Sequence, residues 1–296
     1  MRVAIIGGGA VGTAIAADLA GLAEIELQIC SRTPFEQLVA EWPGGSSRTA
    51  QRAIVDPARA RPADWILLCT KAHQTDSAAN WFAPLSGTTT NLAILQNGVD
   101  HRDRVAAWTD HFQSIEPVVV NLPATRLGPG HTRQRTLGHL TVANQSAGRA
   151  FANLFANART NVVTVEDFPT AAWRKLLWNA PVGGVCAVEQ RGSHILRDPE
   201  LRQFVHQCML EICAVGRLEG ADLRDELPAQ LLASFDQCNT DSWPSIAVDR
   251  RDGRPMEWRA RNDVILRLAQ THGISVPANT QLVARLRAAD ELRSCE

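Results

Sequence analysis

Val3 to Ile6 is a continuous apolar run, the pattern of a strand buried on both faces. A glycine-rich loop follows, and from Val11 to Ala20 the chain is rich in Ala, Ile and Leu at helical spacing. The strand pattern returns in Glu24 to Arg32 (EIELQICSR), Asp64 to Ala72 (DWILLCTKA) and Asn91 to Val99 (NLAILQNGV), with helix-forming segments expected in the gaps. Strand, helix, strand at this spacing predicts parallel βαβ units and an α/β fold with a doubly wound sheet.

The rhythm changes at Pro117. PVVVNLPATRLGPGHTRQ and LGHLTVAN read as strands joined by turns, punctuated by Gly128-Pro129-Gly130, and are expected to add an antiparallel portion to the same sheet. SAGRAFANLFANA reads as a helix and NVVTVED as a last strand. Beyond it the pattern is helical almost to the end, with breaks near Gly192, Gly220 and a loop over Asn239 to Pro255. Two domains are predicted, residues 1–167 around the sheet and residues 168–296 all-helical.

Composition narrows the function classes. Hydrophobic residues make up 45% and charged residues 21% of 296 residues, the balance of a globular protein. A net charge of -1 without a basic tract argues against nucleic acid or an anionic membrane as partner. Tyr is absent, which excludes the Tyr-x-x-x-Lys proton donors of many short-chain reductases, and Arg strongly outnumbers Lys. The seven cysteines, at 30, 69, 186, 208, 213, 238 and 295, contain no Cys-x-x-Cys pair, so neither a disulfide framework nor a metal site is predicted. The glycines at 7–9 and the charges at Asp18 and Glu24 interrupt any secretory or membrane-spanning run near the start, which reads as cytoplasmic.

The glycines fit Gly7-x-Gly9-x-x-Gly12 placed between a strand and a helix. The first permits the tight turn, the second lets backbone approach a pyrophosphate, and the third lets helix and strand pack closely. Ala10 and Val11 would offer N–H groups from the helix start, and Gly8 reads as the variable position. At the end of the second strand stand Ser31, Arg32 and Thr33, with no carboxylate before Glu36. A cation and hydroxyls suit a 2′-phosphate, so NADP is favoured over NAD. Lys71 and Asn97 follow the next two strands at their carboxyl ends, where open α/β sheets bind ligands.

In AAWRKLLWNAPVGGV, Lys175 and Asn179 are four residues apart and share a helix face, with Trp173, Leu176, Leu177 and Trp178 as apolar neighbours. A lysine so walled has a lowered pKa and suits proton donation near neutrality. Further on, Ser245 is placed in a loop four residues before Asp249, and Pro255 is expected to open a helix with Glu257 in its first turn.

These pieces together, GGGAVG, CTKAHQT, LQNGVD, WRKLLWNA and Ser245-x-x-x-Asp249 followed by GRPMEW, resemble the ketopantoate reductase (2-dehydropantoate 2-reductase) family along essentially the whole chain. The resemblance implies an N-terminal Rossmann-type domain, a C-terminal helical domain, NADPH as cofactor and a 2-keto acid as substrate. It implies Lys175 as proton donor, Glu257 as the glutamate of cofactor and active site, Asn97 and Asn179 as substrate contacts, and Ser245 as the serine that binds the substrate's carboxylate side. Gly7, Gly9, Ala10, Val11, Gly12, Arg32, Lys71 and Asn97 fall to the cofactor, and a homodimer is left open.

The chain also departs from the family. A second helix asparagine is replaced by Gly183 after Pro181, which is expected to kink the helix. Arg191 and Ser242 stand where the family carries asparagines, and the family's Ser-Ser-Met reads Pro244-Ser245-Ile246. Arg191 could clamp a carboxylate in their place. The expected activity is reduction of a ketopantoate-like 2-keto acid. The rivals are another carbonyl substrate, because lost hydrogen-bonding groups alter preference, and a non-catalytic NADP-binding sensor.

Overall fold

The computed structural model describes residues 1–237 and 239–293, which form two compact units. The first contains Met1–Asn97 and His101–Phe168, and the second contains Gly98–Asp100 with the chain from Pro169 onward. Cys238 and Cys295 lie outside the described residues.

In the first unit β1 (Arg2–Ile6) runs through the glycine loop into α1 (Ala10–Leu19), and β2 (Glu26–Cys30) returns beside β1. The next segment forms a hairpin of β3 (Gln37–Trp42) and β4 (Gly45–Ala50), turning at Gly44 with φ +92°. After it come β5 (Trp65–Leu68), the one-turn helices α2 (Thr75–Ala78) and α3 (Phe82–Leu85), β6 (Asn91–Ile94) and β7 (Ser114–Pro117). Five strands make the parallel sheet in the order β2-β1-β5-β6-β7. The order reverses at β1 and β5, and a ligand crevice is expected beyond the carboxyl ends of that pair.

The remaining strands correct the sequence-based expectation. They are β8 (Val119–Asn121), β9 (Ala124–Gly128), β10 (His131–Gln134), β11 (His139–Ala143) and β12 (Asn161–Val165), with α4 (Ser146–Asn153) preceding the last. They do not extend the parallel sheet. A second sheet has the order β4-β3-β10-β9 and a third the order β12-β11-β8. The physical reason lies in α1, which packs against β3, β9 and β10 as well as β1 and β2 and is buried from Gly12 to Leu19. A helix apolar all round needs cover on both sides, and the hairpin, where a helix was expected, supplies part of it. Its one acid, Asp18, accepts bonds from the Thr160 amide at 3.1 Å, the Thr160 hydroxyl and Arg159.

Among the described residues the second unit contains no strand. It comprises α5 (Phe168–Glu189), α6 (Pro199–Leu218), α7 (Leu227–Asp236), α8 (Ser245–Arg251), a π-helical turn at Arg259–Asp263 that continues into α9 (Val264–Thr271), and α10 (Pro277–Arg293). Leu177, Val185, Met209, Ile212, Val264 and Leu282 centre its core. Val99 packs against that core, and Asp100 accepts from Arg267 at 2.6 Å, which ties the short segment 98–100 to the helices. The α10 N-terminus is capped from α6, since Glu211 accepts from the Ala278 and Asn279 amides at 2.8 and 2.9 Å. No helix among the described residues is long and apolar enough to cross a membrane. Cys30, Cys69, Cys186, Cys208 and Cys213 are free and buried.

Candidate active site

The loop between β1 and α1 has the geometry its spacing implies. Gly7 adopts φ +115°, and a Cβ there would stand 2.9 Å from the backbone of Cys69 and Thr70, where β5 ends. A Cβ on Gly12 would collide with the Gly7 carbonyl oxygen, so helix and strand approach as closely as backbone allows. Gly9 caps α1, and a Cβ built on it meets nothing within 4 Å. That open space, facing the first-turn N–H groups of Ala10, Val11 and Gly12 in a turn without acidic residues, fits an approaching diphosphate. A Cβ on Gly8 would come 2.8 Å from Ser31 Oγ and 3.2 Å from Phe35.

Arg32 is exposed just past the end of β2, and Thr33 donates its amide to Ser31 Oγ at 3.3 Å. Glu36, the first carboxylate after that strand, is ion-paired with Arg52 at 2.7 Å. Past β5, Lys71 starts a short 3-10 turn and its amide donates to Gln74 at 3.3 Å. Past β6, Asn97 is half-buried and its carbonyl accepts from Arg104 at 2.8 Å. Arg104 also reaches Gln96 Oε1 at 2.8 Å, and Gln96 Nε2 donates to Thr70 and Thr75. The two strand ends are thus cross-linked by Gln96 and Arg104, side chains that strand periodicity alone does not distinguish.

In the helical unit Lys175 and Asn179 share one face of α5 and are both half-buried. Enclosure of its ammonium lowers the Lys175 pKa to about 7; the Arg261 guanidinium pushes it down further and Glu257 works the other way. Glu257 is buried, and its charge also favours the ionised form of Arg261 against the burial that depresses it. Lys175, Glu257 and Arg261 therefore form one interacting group, and Ser245 joins it by accepting from Arg261 Nη1 at 3.3 Å.

Local structure around these residues differs from expectation in two places. Ser245 is not in a loop but opens α8 behind Pro244, which puts Asp249 on its own face one turn later. Pro255 does not open a helix, and Glu257 stands ahead of the helical turn instead of inside it. The helix begins with the π-helical turn Arg259–Asp263, which turns the consecutive residues Ala260, Arg261 and Asn262 inward together. Arg261 was not among the residues that motif or spacing singled out, and its burial here is a property of the folded packing.

The replaced positions are also placed. α5 runs through Pro181 as one helix of 22 residues. A Cβ on Gly183 would lie 3.1 Å from Ile246 and 3.7 Å from Pro244, so the two apolar residues of α8 fill the space where a longer side chain would project. Gly184 packs against Leu282, with 2.9 Å left for a Cβ. Arg191 is exposed past the end of α5, outside the buried group, while Ser242 exchanges hydrogen bonds with Ser193. Among the described residues no cluster of His, Cys, Asp or Glu side chains is arranged to hold a metal ion.

Comparison with known proteins places this geometry. The family model Ketopantoate reductase PanE/ApbA matches residues 3–146, and its companion, Ketopantoate reductase PanE/ApbA C terminal, matches residues 167–290. A 2-dehydropantoate 2-reductase of Caulobacter vibrioides is 42% identical over 289 residues, covering 97% of this chain and 98% of that protein. The crystal structure of a PanE/ApbA family ketopantoate reductase from Ralstonia eutropha is 29% identical, with a TM-score of 0.89 over 99% of this chain and all of that one. A dimeric ketopantoate reductase from Staphylococcus aureus shares the fold at a TM-score of 0.89 and 22% identity, over 99% of this chain and 100% of its own. With both halves matched in order and a relative of this identity over almost the full length, the chain belongs to the ketopantoate reductase family.

Proposed function

We propose that this protein reduces a 2-keto acid of ketopantoate type to the 2-hydroxy acid with NADPH. The observation that carries the reading is Lys175, half-buried with a pKa of about 7 and coupled to Glu257 and Arg261, in a chain of this family. At neutral pH such a lysine is divided between ammonium and amine, which is the condition for giving up a proton in the reaction and regaining it from solvent.

Residues 1–167 would hold the cofactor and residues 168–296 the substrate and proton donor. Gly7, Gly9, Ala10, Val11 and Gly12 bind the pyrophosphate, Arg32 with Ser31 meets the 2′-phosphate, and Lys71 and Asn97 line the nicotinamide side. NADPH bound there supplies the hydride that the ketone carbon accepts. The Lys175 ammonium hydrogen-bonds the carbonyl oxygen, stabilises the negative charge that develops on it and transfers a proton to it. Glu257 holds Lys175 in place and balances its charge, while Asn179 and Ser245 orient the substrate. Assembly as a homodimer in the cytoplasm completes the reading.

A second reading has its own observation. Gly183 faces Ile246 and Pro244 where the family resemblance implies an asparagine, and this favours a 2-keto acid without ketopantoate's hydroxyl. NADPH oxidation against a panel of 2-keto acids, with wild type and Lys175→Ala, tests both. Turnover lost in the variant while NADPH still binds supports the proton donor. Tight NADPH binding with no turnover of any acid in wild type would favour a sensor. Ketopantoate reduced far faster than the others would remove the second reading.

A further inference from the structure

Arg261 is 3% exposed, yet its guanidinium has five N–H donors and makes one hydrogen bond among the described residues, to Ser245 Oγ at 3.3 Å. Its Nε is buried without any partner. A buried donor left unpaired is costly, and a buried guanidinium more so. Its surroundings do not remove the cost by charge alone. Glu257 and Asp249 both favour its ionised form, but Glu257 also serves Lys175, and Asp249 is bonded by Arg254 Nε at 3.1 Å.

The backbone on either side of the residue is anchored. The π-helical turn at Arg259–Asp263 departs from regular α geometry, and such turns recur at functional sites. The next residue, Asn262, donates to the Ala180 carbonyl at 2.8 Å, which fastens the turn to the helix that carries Lys175. Ser245, having accepted from Arg261, keeps its own hydroxyl proton to donate. A fixed guanidinium and a hydroxyl side by side match the two oxygens of a carboxylate, for which Arg is better shaped than Lys.

We infer that Arg261 joins Ser245, which the family resemblance already puts on the substrate's carboxylate side, as a further residue binding the carboxylate of the 2-keto acid. This rests on the reductase reading above and assigns the acid-recognising role to Arg261 instead of the exposed Arg191. The enzyme then selects carbonyl compounds that carry an adjacent carboxylate and discriminates against their neutral counterparts.

The test compares kcat/KM for the best 2-keto acid with that for its 2-keto amide, in wild type, Arg261→Gln and Arg261→Lys. The acid-to-amide ratio is expected to fall about 10- to 100-fold in Arg261→Gln, chiefly through KM for the acid, with part of the loss recovered in Arg261→Lys. Equal losses for acid and amide would overturn the assignment and leave Arg261 a structural ion. A crystal structure of wild type with NADP⁺ and oxamate decides the matter even if the variants do not fold. The oxamate carboxylate must lie in hydrogen-bond reach of Arg261 and Ser245, and its binding elsewhere, or not at all, sinks the inference. A wild type that reduces no 2-keto acid but binds oxamate at Arg261 removes only the reductase reading. An active wild type whose ratio is unchanged in Arg261→Gln removes only this one.

Discussion

The Asn262 side-chain amide donates to the Ala180 carbonyl at 2.8 Å, joining the turn that carries Arg261 to the helix that carries Lys175. Both partners are buried, and the bond lies five residues beyond Lys175 along α5. Asn262→Leu removes the donor and adds branched bulk beside Gly184, whose own missing side chain leaves 3.2 Å to the amide nitrogen. Unfolding free energy is expected to fall by about 1–3 kcal/mol. In the variant that still folds, kcat should fall more than NADPH affinity, because the fault lies between Lys175 and Arg261. Chemical denaturation with steady-state kinetics checks both, and unchanged kcat would show that the tether is structural only.

The Lys175 pKa of about 7 fixes the sign of two pH effects. As a proton donor the lysine must be charged, so kcat/KM for reduction is expected to decline as pH rises through about 7. Arg261→Gln removes a cation that pushes this pKa down, so the decline should move to higher pH in the variant. For stability the direction is opposite. The folded pKa lies below the ordinary 10.5, so the unfolded chain binds more protons from about 7 upward and stability rises with pH across that interval. Lys175→Met should therefore gain most stability below pH 7 and nothing above the lysine's unfolded pKa. A flat difference across pH would refute the assignment.

Gly9 and Gly12 make different predictions although one motif contains both. A methyl added at Gly9 meets no protein atom within 4 Å, so Gly9→Ala should leave thermal stability nearly unchanged. It occupies the space a diphosphate needs, and NADPH affinity is expected to drop about tenfold or more, at least 1.4 kcal/mol. Gly12→Ala collides with the Gly7 carbonyl and should cost roughly 1–3 kcal/mol of stability. Calorimetric binding and melting curves on the two variants separate the effects.

Gly183→Asn introduces the asparagine that the family resemblance implies at this position but meets Ile246 at 3.1 Å. The single variant should lose about 1–3 kcal/mol by overpacking, and Gly183→Asn combined with Ile246→Ala should recover part of it. If the glycine sets preference, the double variant gains on ketopantoate relative to 2-keto acids without the hydroxyl. Identical preference in the double variant and wild type would place substrate choice elsewhere.

Much of this was legible in the chain. The apolar run of β1, the glycine spacing and the Ala-rich helix determine a strand-turn-helix locally, because each depends on neighbours within a dozen residues. Lys71 and Lys175 stood out because they are the only two lysines in 296 residues. The second and third sheets were not legible, since β3 and β10 pair across some ninety residues and Leu38 and Ala40 form too brief an alternation to outweigh a helical expectation.

The sequence by itself determined the family, the division into a sheet-bearing part and a helical part, and the chemistry available: a dinucleotide loop, a walled lysine, a glutamate and a serine. Only the tertiary structure decided which of these meet. Nothing in the local pattern singles out Arg261 among the chain's many arginines, and only the folded structure buries it beside Ser245. The same packing left Arg191 outside and filled the space at Gly183 with Ile246. A guanidinium's worth depends on the dielectric around it and on the partners within reach, and both are properties of the folded chain alone.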